Sequence, residues 1–164
     1  VDKVLQVTRY SERIMLLRVR VGKSVLCVVS VYAPQVGRTM EEKEEFFVSL
    51  GEVLSTVDAK ERLVIYGDMN GHVGARKEGF EGVHGGYGYG ERNAEGEMLL
   101  EFADAKKLVV ANTWFKKEDH RLVTYESGGC RTVVDYILVR KAEMRWLTNA
   151  TVGRCEPDYG SISC

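Results

Sequence analysis

Proline and histidine are both scarce in this chain of 164 residues, with two of the former and three of the latter. With so little proline and only moderate charge, the composition argues against disorder. His72, His84 and His120 have no ligand-like partner spacing, so they read as exposed side chains and zinc is not indicated. The four cysteines, Cys27, Cys130, Cys155 and Cys164, form no C-x-x-C pair, and Cys27 sits in an apolar run. They read as reduced thiols of an intracellular protein. No stretch is long and apolar enough to span a bilayer, and the N-terminus lacks a charged-then-apolar leader, so no membrane partner is expected. Net charge is also missing: at −1 it advertises no global nucleic-acid footprint. Locally, Lys3, Arg9, Arg13, Arg18, Arg20 and Lys23 face only Asp2 and Glu12, while the stretch from Glu41 to Glu61 is acidic. Such an edge suits phosphate contact, and solvated strand faces give the same pattern.

What remains is ample apolar content, 45% of the residues, in a chain the size of one domain, 1–164. It is strand-like by Val4 and stops soon after the apolar segment Leu147–Val152, so the domain is expected to be truncated at both ends. Arg13–Val21 alternates as a half-buried strand does, Gly22-Lys23 turns, and Ser24–Tyr32 completes an antiparallel hairpin that Ala33-Pro34 closes. Thr39 and Glu42 form a capping box, followed by Phe46, Phe47, Leu50, Val53, Leu54 and Val57 on one helical face. Leu63–Tyr66 is the next strand. Residues 71–92 are glycine-rich and without periodicity, the mark of a functional or mobile loop. Their G-Y-G-Y-G run lacks the strand-then-helix phosphate fingerprint. Asn93 caps a second helix running to about Lys107. Strands follow at Leu108–Thr113, Leu122–Tyr125 and Val133–Val139, the last two joined through a turn at Gly128-Gly129. A helical piece near Lys141–Arg145 precedes a final strand, Leu147–Val152. The tally predicts an α/β (α+β) fold: mixed, mostly antiparallel sheets packed face to face and flanked by helices.

Chemistry concentrates at Gly67-Asp68-Met69-Asn70, directly after Leu63–Tyr66. Ligand sites in open α/β sheets gather outside the carboxyl ends of strands. There Asp68 is a proton acceptor for water and Asn70 a neutral hydrogen-bonding group for a phosphoryl oxygen. An Asp/Asn turn that merely ends a strand has the same composition. Tyr32 likewise reads as a site residue or a strand-end aromatic, and Asp135 as a site residue, a turn closer or a partner of Arg131. Asn112 fits a strand-end residue that satisfies backbone groups. Trp114 and Tyr125 read as core or rim aromatics.

Taken in order, Ser30-Val31-Tyr32-Ala33-Pro34, the run G-D-M-N-G-H-V-G from Gly67, Glu91-Arg92-Asn93 leading to Leu99-Leu100-Glu101-Phe102, Ala111-Asn112-Thr113-Trp114-Phe115, and V-D-Y-I-L-V from Val134 resemble the endonuclease/exonuclease/phosphatase superfamily. The closer resemblance is to endonuclease domains of RTE-type non-LTR retrotransposons and to the craniofacial development protein 2 family related to them. It covers the chain up to about Val152. It implies a DNase I-like four-layer sandwich and metal-assisted hydrolysis of a DNA phosphodiester, the DNA being duplex, abasic or intact. The metal is Mg²⁺, with Mn²⁺ as a substitute, and a nuclear location follows from the family alone. By the same resemblance, Asp68 positions or deprotonates the attacking water and Asn70 steadies the phosphoryl group. Asp135 orients a histidine, Tyr32 contacts the scissile phosphate, Asp68 and Asn70 hold the metal, and Asn93 and Asn112 are substrate-binding candidates.

The departures from the family pattern matter. The family carries a metal-binding glutamate upstream of anything matching Val4, and a catalytic histidine near the end, where this chain has Asp158-Tyr159-Gly160-Ser161-Ile162-Ser163-Cys164. Val133 stands where retrotransposon relatives tend to have a polar amide. One carboxylate holds Mg²⁺ poorly without its partner, and loss of one member of a cooperating set costs orders of magnitude in rate. Two function classes therefore stand side by side: a DNA phosphodiesterase that is weak or silent in this chain, with small phosphate esters as a variant substrate, and a non-catalytic domesticated remnant that binds or interacts.

Overall fold

The structure is a computed structural model that describes residues 3–150 and 152. Its centre is a six-stranded mixed sheet in the order β1-β2-β3-β4-β8-β5. The chain enters as β1 (Lys3–Arg9), turns into β2 (Ile14–Val21) and then β3 (Ser24–Tyr32), all antiparallel. Helix α1 (Met40–Ser55) crosses over, and β4 (Arg62–Asp68) returns parallel to β3. Parallel neighbours need such a crossover because a tight hairpin reverses direction. After the long loop come α2 (Ala94–Ala105), β5 (Leu108–Val110), a 3-10 turn (Ala111–Trp114) and a single helical turn, α3 (Asp119–Leu122). A two-stranded ribbon, β6 (Tyr125–Ser127) and β7 (Cys130–Thr132), leads to β8 (Asp135–Arg140), which inserts antiparallel between β4 and β5. A 3-10 turn, Lys141–Trp146, follows.

Period-2 alternation decides what each sheet face meets. Leu16, Cys27, Val29, Leu63, Ile65 and Leu138 point to one face and are buried there with Phe46, Leu50 and Val53 of α1 and Leu99, Leu100 and Ala103 of α2. Burial, followed by the hydrogen bond and charge of Glu61, pushes the Cys27 thiol up to about 11, an inert thiol. The opposite face carries a smaller cluster in which Val109, Ala111, Val139 and Ala150 are buried. Both helix caps are as the sequence indicates. Thr39 Oγ1 accepts the Glu42 N–H while the Glu42 carboxylate accepts the Thr39 N–H, and Asn93 Oδ1 accepts the Gly96 N–H.

Several local expectations need correction. The strand beginning at Leu108 stops at Val110, because Thr113 Oγ1 turns back to donate to Val110 O and the Asn112 side chain takes over the ladder hydrogen bond. Leu122 closes a helical turn rather than opening a strand, and the Gly128-Gly129 turn lies inside the ribbon, both glycines at positive φ. Strand β8 begins at Asp135. Leu147–Ala150 forms no strand: Leu147 and Ala150 pack into the smaller cluster instead. Val152 is in no strand either, and Thr151, Cys155 and Asp158–Cys164 lie outside the described residues. Of the three histidines expected to be exposed, only His120 is; His72 is half-buried and His84 is fully buried. His84 is 0% exposed, its Nε2 pairs with Gly74 O at 3.0 Å, and its Nδ1 accepts the Gly86 N–H at 3.0 Å. With Arg92, which donates to the carbonyls of Val73, Arg76 and Glu78, it ties down the glycine-rich loop.

Gly67 fixes the geometry at the end of β4. Its φ is +151°, and a Cβ there would lie 1.9 Å from Val31 O on the neighbouring strand. Gly67→Ala is expected to lower unfolding free energy by about 3 kcal/mol, read as a lower denaturant midpoint at unchanged slope. A loss below 0.5 kcal/mol would contradict this account of the strand tip.

Candidate active site

Three adjacent strands end level with one another. The register pairs Tyr32 of β3 with Asp68 of β4, and Asp68 with Asp135 of β8, so these side chains rise from the same sheet face at the same level. Neighbouring strands lie about 4.8 Å apart, so the row spans about 10 Å. The turn after Asp68 then brings in Asn70. Asp68 Oδ1 accepts the Asn70 N–H at 2.8 Å, a local Asx bond that bends the chain over the tip. Asn70 adopts φ +46°, a left-handed conformation that asparagine tolerates, and its Nδ2 donates to Ala33 O at 2.8 Å. With its nitrogen so committed, the amide has its Oδ1 left for a ligand. Two backbone hydrogen bonds lock the row: Ala33 N–H to Asp68 O at 2.8 Å and Met69 N–H to Val134 O at 2.7 Å.

Electrostatics at the tip run in one direction. Burial raises the Asp68 carboxyl above the ordinary carboxylate range, the Asp135 carboxylate raises it further, and the Asn70 N–H works against both. Neither aspartate forms a salt bridge with a lysine or arginine among the described residues, and Arg131 pairs with Glu126 at 3.6 Å instead of Asp135. Two neighbouring carboxylates without a Lys or Arg counter-charge among the described residues are hard-oxygen donors. Such donors suit Mg²⁺, which draws on one or two carboxylates plus substrate oxygens. Among the described residues no group of three or more His, Cys, Asp or Glu comes together.

Tyr32, Asp68, Asn70 and Asp135 are thus brought together. Asn93 and Asn112 are placed otherwise. Asn93 caps α2, and the same Oδ1 also accepts the His72 N–H at 2.8 Å, which anchors the loop leaving Asn70. Asn112 Oδ1 accepts the Ile137 N–H at 2.7 Å, and its Nδ2 faces Asp135 O at 3.5 Å, bracing the start of β8. Trp114 is a rim aromatic of the smaller cluster, and Tyr125 is exposed on the ribbon.

Two residues that sequence reasoning passed over support the row. Arg13 donates from Nη1 to Tyr32 O at 3.2 Å and lies 5.6 Å from the Tyr32 ring centroid, so it braces the tyrosine with a cation–π contact. The basic start of the chain hinted at it, but only the β2–β3 pairing singles out one arginine. Tyr136, next to Asp135, is buried on the opposite face. Its hydroxyl donates to Val133 O at 2.8 Å and accepts the Val73 N–H at 3.2 Å, joining the segments on either side of the site. Burial pushes that hydroxyl far above its ordinary range.

Comparison with known proteins bears on the family and the fold. No family model matches the sequence. Craniofacial development protein 2 of Tragulus javanicus is 32% identical over 155 residues, which is 92% of this chain and 26% of that protein. The chain therefore spans about a quarter of the length of the curated relative it matches. Among solved structures, the endonuclease domain of TRAS1, a telomere-specific non-LTR retrotransposon, superposes with a TM-score of 0.58 at 17% identity, covering 85% of this chain and 57% of that one. D. rerio TDP2 complexed with single strand DNA product gives a TM-score of 0.57 at 14% identity, covering 85% and 53%. At such identities these two likenesses establish the fold.

Proposed function

From a chain that has the DNase I-like endonuclease fold and is a homologue of craniofacial development protein 2, we propose a metal-dependent DNA phosphodiesterase site built on the Tyr32–Asp68–Asp135 row. The observation that carries this reading is the register itself, which sets a tyrosine and two aspartates level at the ends of three adjacent strands, with the turn to Asn70 directly after Asp68. Asp68 orients the attacking water and accepts its proton. A carboxylate whose affinity for protons is raised by burial and by a like charge is a better base near neutral pH. Asn70 offers Oδ1 and Tyr32 its hydroxyl around the phosphoryl group, where neutral donors and acceptors add no further negative charge. Asp135 supports the charge distribution around Asp68 and stands ready to orient a basic group. Asp68 and Asn70 are the residues that would hold Mg²⁺, which when bound neutralises the scissile phosphate.

Duplex DNA, abasic or intact, is the substrate class this reading names, and nuclear residence accompanies it. Purified chain is to be incubated with supercoiled plasmid and with an abasic duplex, in Mg²⁺ and in chelator. Weak nicking in Mg²⁺ that chelator abolishes is the expected result. Identical traces in all four tubes would sink the hydrolytic reading and favour a binding domain.

A further inference from the structure

At the other end of the same sheet lies a second surface whose chemistry points to a different ligand contact. Arg62 opens β4 and Asp68 closes it, so the two ends are about 20 Å apart at about 3.3 Å per residue. At the Arg62 end, Trp146 is 61% exposed, an unusual setting for so large an apolar surface. Two guanidinium groups attend its ring, with Arg145 Cζ 4.9 Å and Arg62 Cζ 5.8 Å from the centroid. Trp146 ends the 3-10 turn that Lys141 begins, a length of about 12 Å at about 2 Å per residue. Beyond Lys141 is a groove of about 700 Å³ bordered by Lys106, Lys107, Arg140 and Lys141, with Asp104 as its carboxylate.

Positive charge exceeds negative on this surface, where Asp104 is the groove's carboxylate. Arg62, Lys106, Lys107, Lys141 and Arg145 are exposed and form no salt bridge among the described residues. Of the nearby carboxylates, Glu143 is held by Arg140 and by the Leu63 N–H, Glu61 is held by Arg18, and Asp58 binds the Lys60 N–H. Lys107 also stands at φ +56° just past the end of α2, where glycine is the usual residue.

We propose that this surface binds single-stranded nucleic acid, one base stacking on the Trp146–Arg145 platform and the following phosphates running along Lys141, Lys107 and Lys106. Unpaired strands are held in this way, by aromatic and guanidinium planes that accept a base and by cations that track the backbone. A duplex hides its base faces, so the platform discriminates in favour of the unpaired form. This contact is independent of hydrolysis at the Asp68 end.

The test is fluorescence anisotropy of the 164-residue chain with labelled dT20 and with a 20-base-pair duplex, in chelator so that no cleavage intervenes. Tighter binding of dT20 than of duplex is expected. Trp146→Ala should weaken dT20 binding by about tenfold, Trp146→Phe should retain most of it, and Arg145→Glu should weaken it and flatten its salt dependence. Both positions are exposed, so thermal midpoints should hold. Because chelator silences hydrolysis, dT20 affinity is read without it, which separates failure of this inference from failure of the hydrolytic reading. Affinity for dT20 within twofold of the unaltered chain in both Trp146→Ala and Arg145→Glu would overturn the proposal. So would preference for duplex, or competition by polyglutamate as effective as that by unlabelled dT20.

Discussion

Asp68→Ala is expected to reduce Mg²⁺-dependent nicking by about a thousandfold, the scale on which positioned general bases contribute. Asp135→Asn gives the more diagnostic result. Asp68 acts in its ionised form, and its carboxyl is raised first by burial and then by Asp135. The acid limb of the pH–rate profile should therefore lie above the ordinary carboxylate range. Removing the Asp135 charge should move that limb to lower pH while leaving part of the displacement, because burial is the larger cause. For stability the sign is the reverse of the usual carboxylate case. A raised folded-state value means that ionised Asp68 costs stability above that value, and the cost is relieved as pH falls through it. Asp135→Asn should lessen that cost at neutral pH. An acid limb that stays put in Asp135→Asn would separate the two carboxylates and dissolve the proposed site.

The second large effect lies away from the site. Lys43 of α1 reaches across to Glu95 in the first turn of α2, Nζ to Oε1 at 2.7 Å, and also donates to Val36 O at 2.8 Å. Both side chains are largely buried, at 11% and 14% exposed. Burial alone would raise the Glu95 carboxyl, but the Lys43 hydrogen bond and the surrounding positive charge bring it below the ordinary range. Lys43→Ala leaves that carboxylate buried and unpaired, so a loss of about 4 kcal/mol and a fall of roughly 10 °C in Tm are expected. Since the Glu95 value is lowered on folding, the pair's contribution is fully present above the unfolded value and lost as pH falls through the folded one. The double change Lys43→Met with Glu95→Leu should recover most of the stability, because the ionic pair then gives way to packing. A Tm drop under 3 °C in Lys43→Ala would show that the pair is solvated rather than structural.

Much of this architecture is legible along the chain because it is written in short-range rules. The capping box of Thr39 and Glu42, the Asn93 cap and the alternating β2–β3 hairpin each need only a few neighbouring residues, and each stands in the structure. The motif Gly67-Asp68-Met69-Asn70 follows from a strand meeting polar residues that must face outward. Where competing local choices existed, the sequence misled. Val110 to Thr113 has strand composition, yet Asn112 finds a better use for its amide on the β8 edge. His84 sits in a polar, glycine-rich stretch that suggests exposure, yet both ring nitrogens find backbone partners inside the loop.

By itself the sequence determined which side chains are available for chemistry and which faces of its strands and helices must be buried, since period and side-chain type act over a few residues. Only the tertiary structure decided that Tyr32, Asp68 and Asp135 stand level, that Arg13 rather than another arginine braces the tyrosine, and that Trp146 is flanked by Arg62 and Arg145. The physical reason is strand insertion. β8 enters between β4 and β5 from far along the chain, and its register is set by which face its apolar residues must bury, a choice made against the whole core.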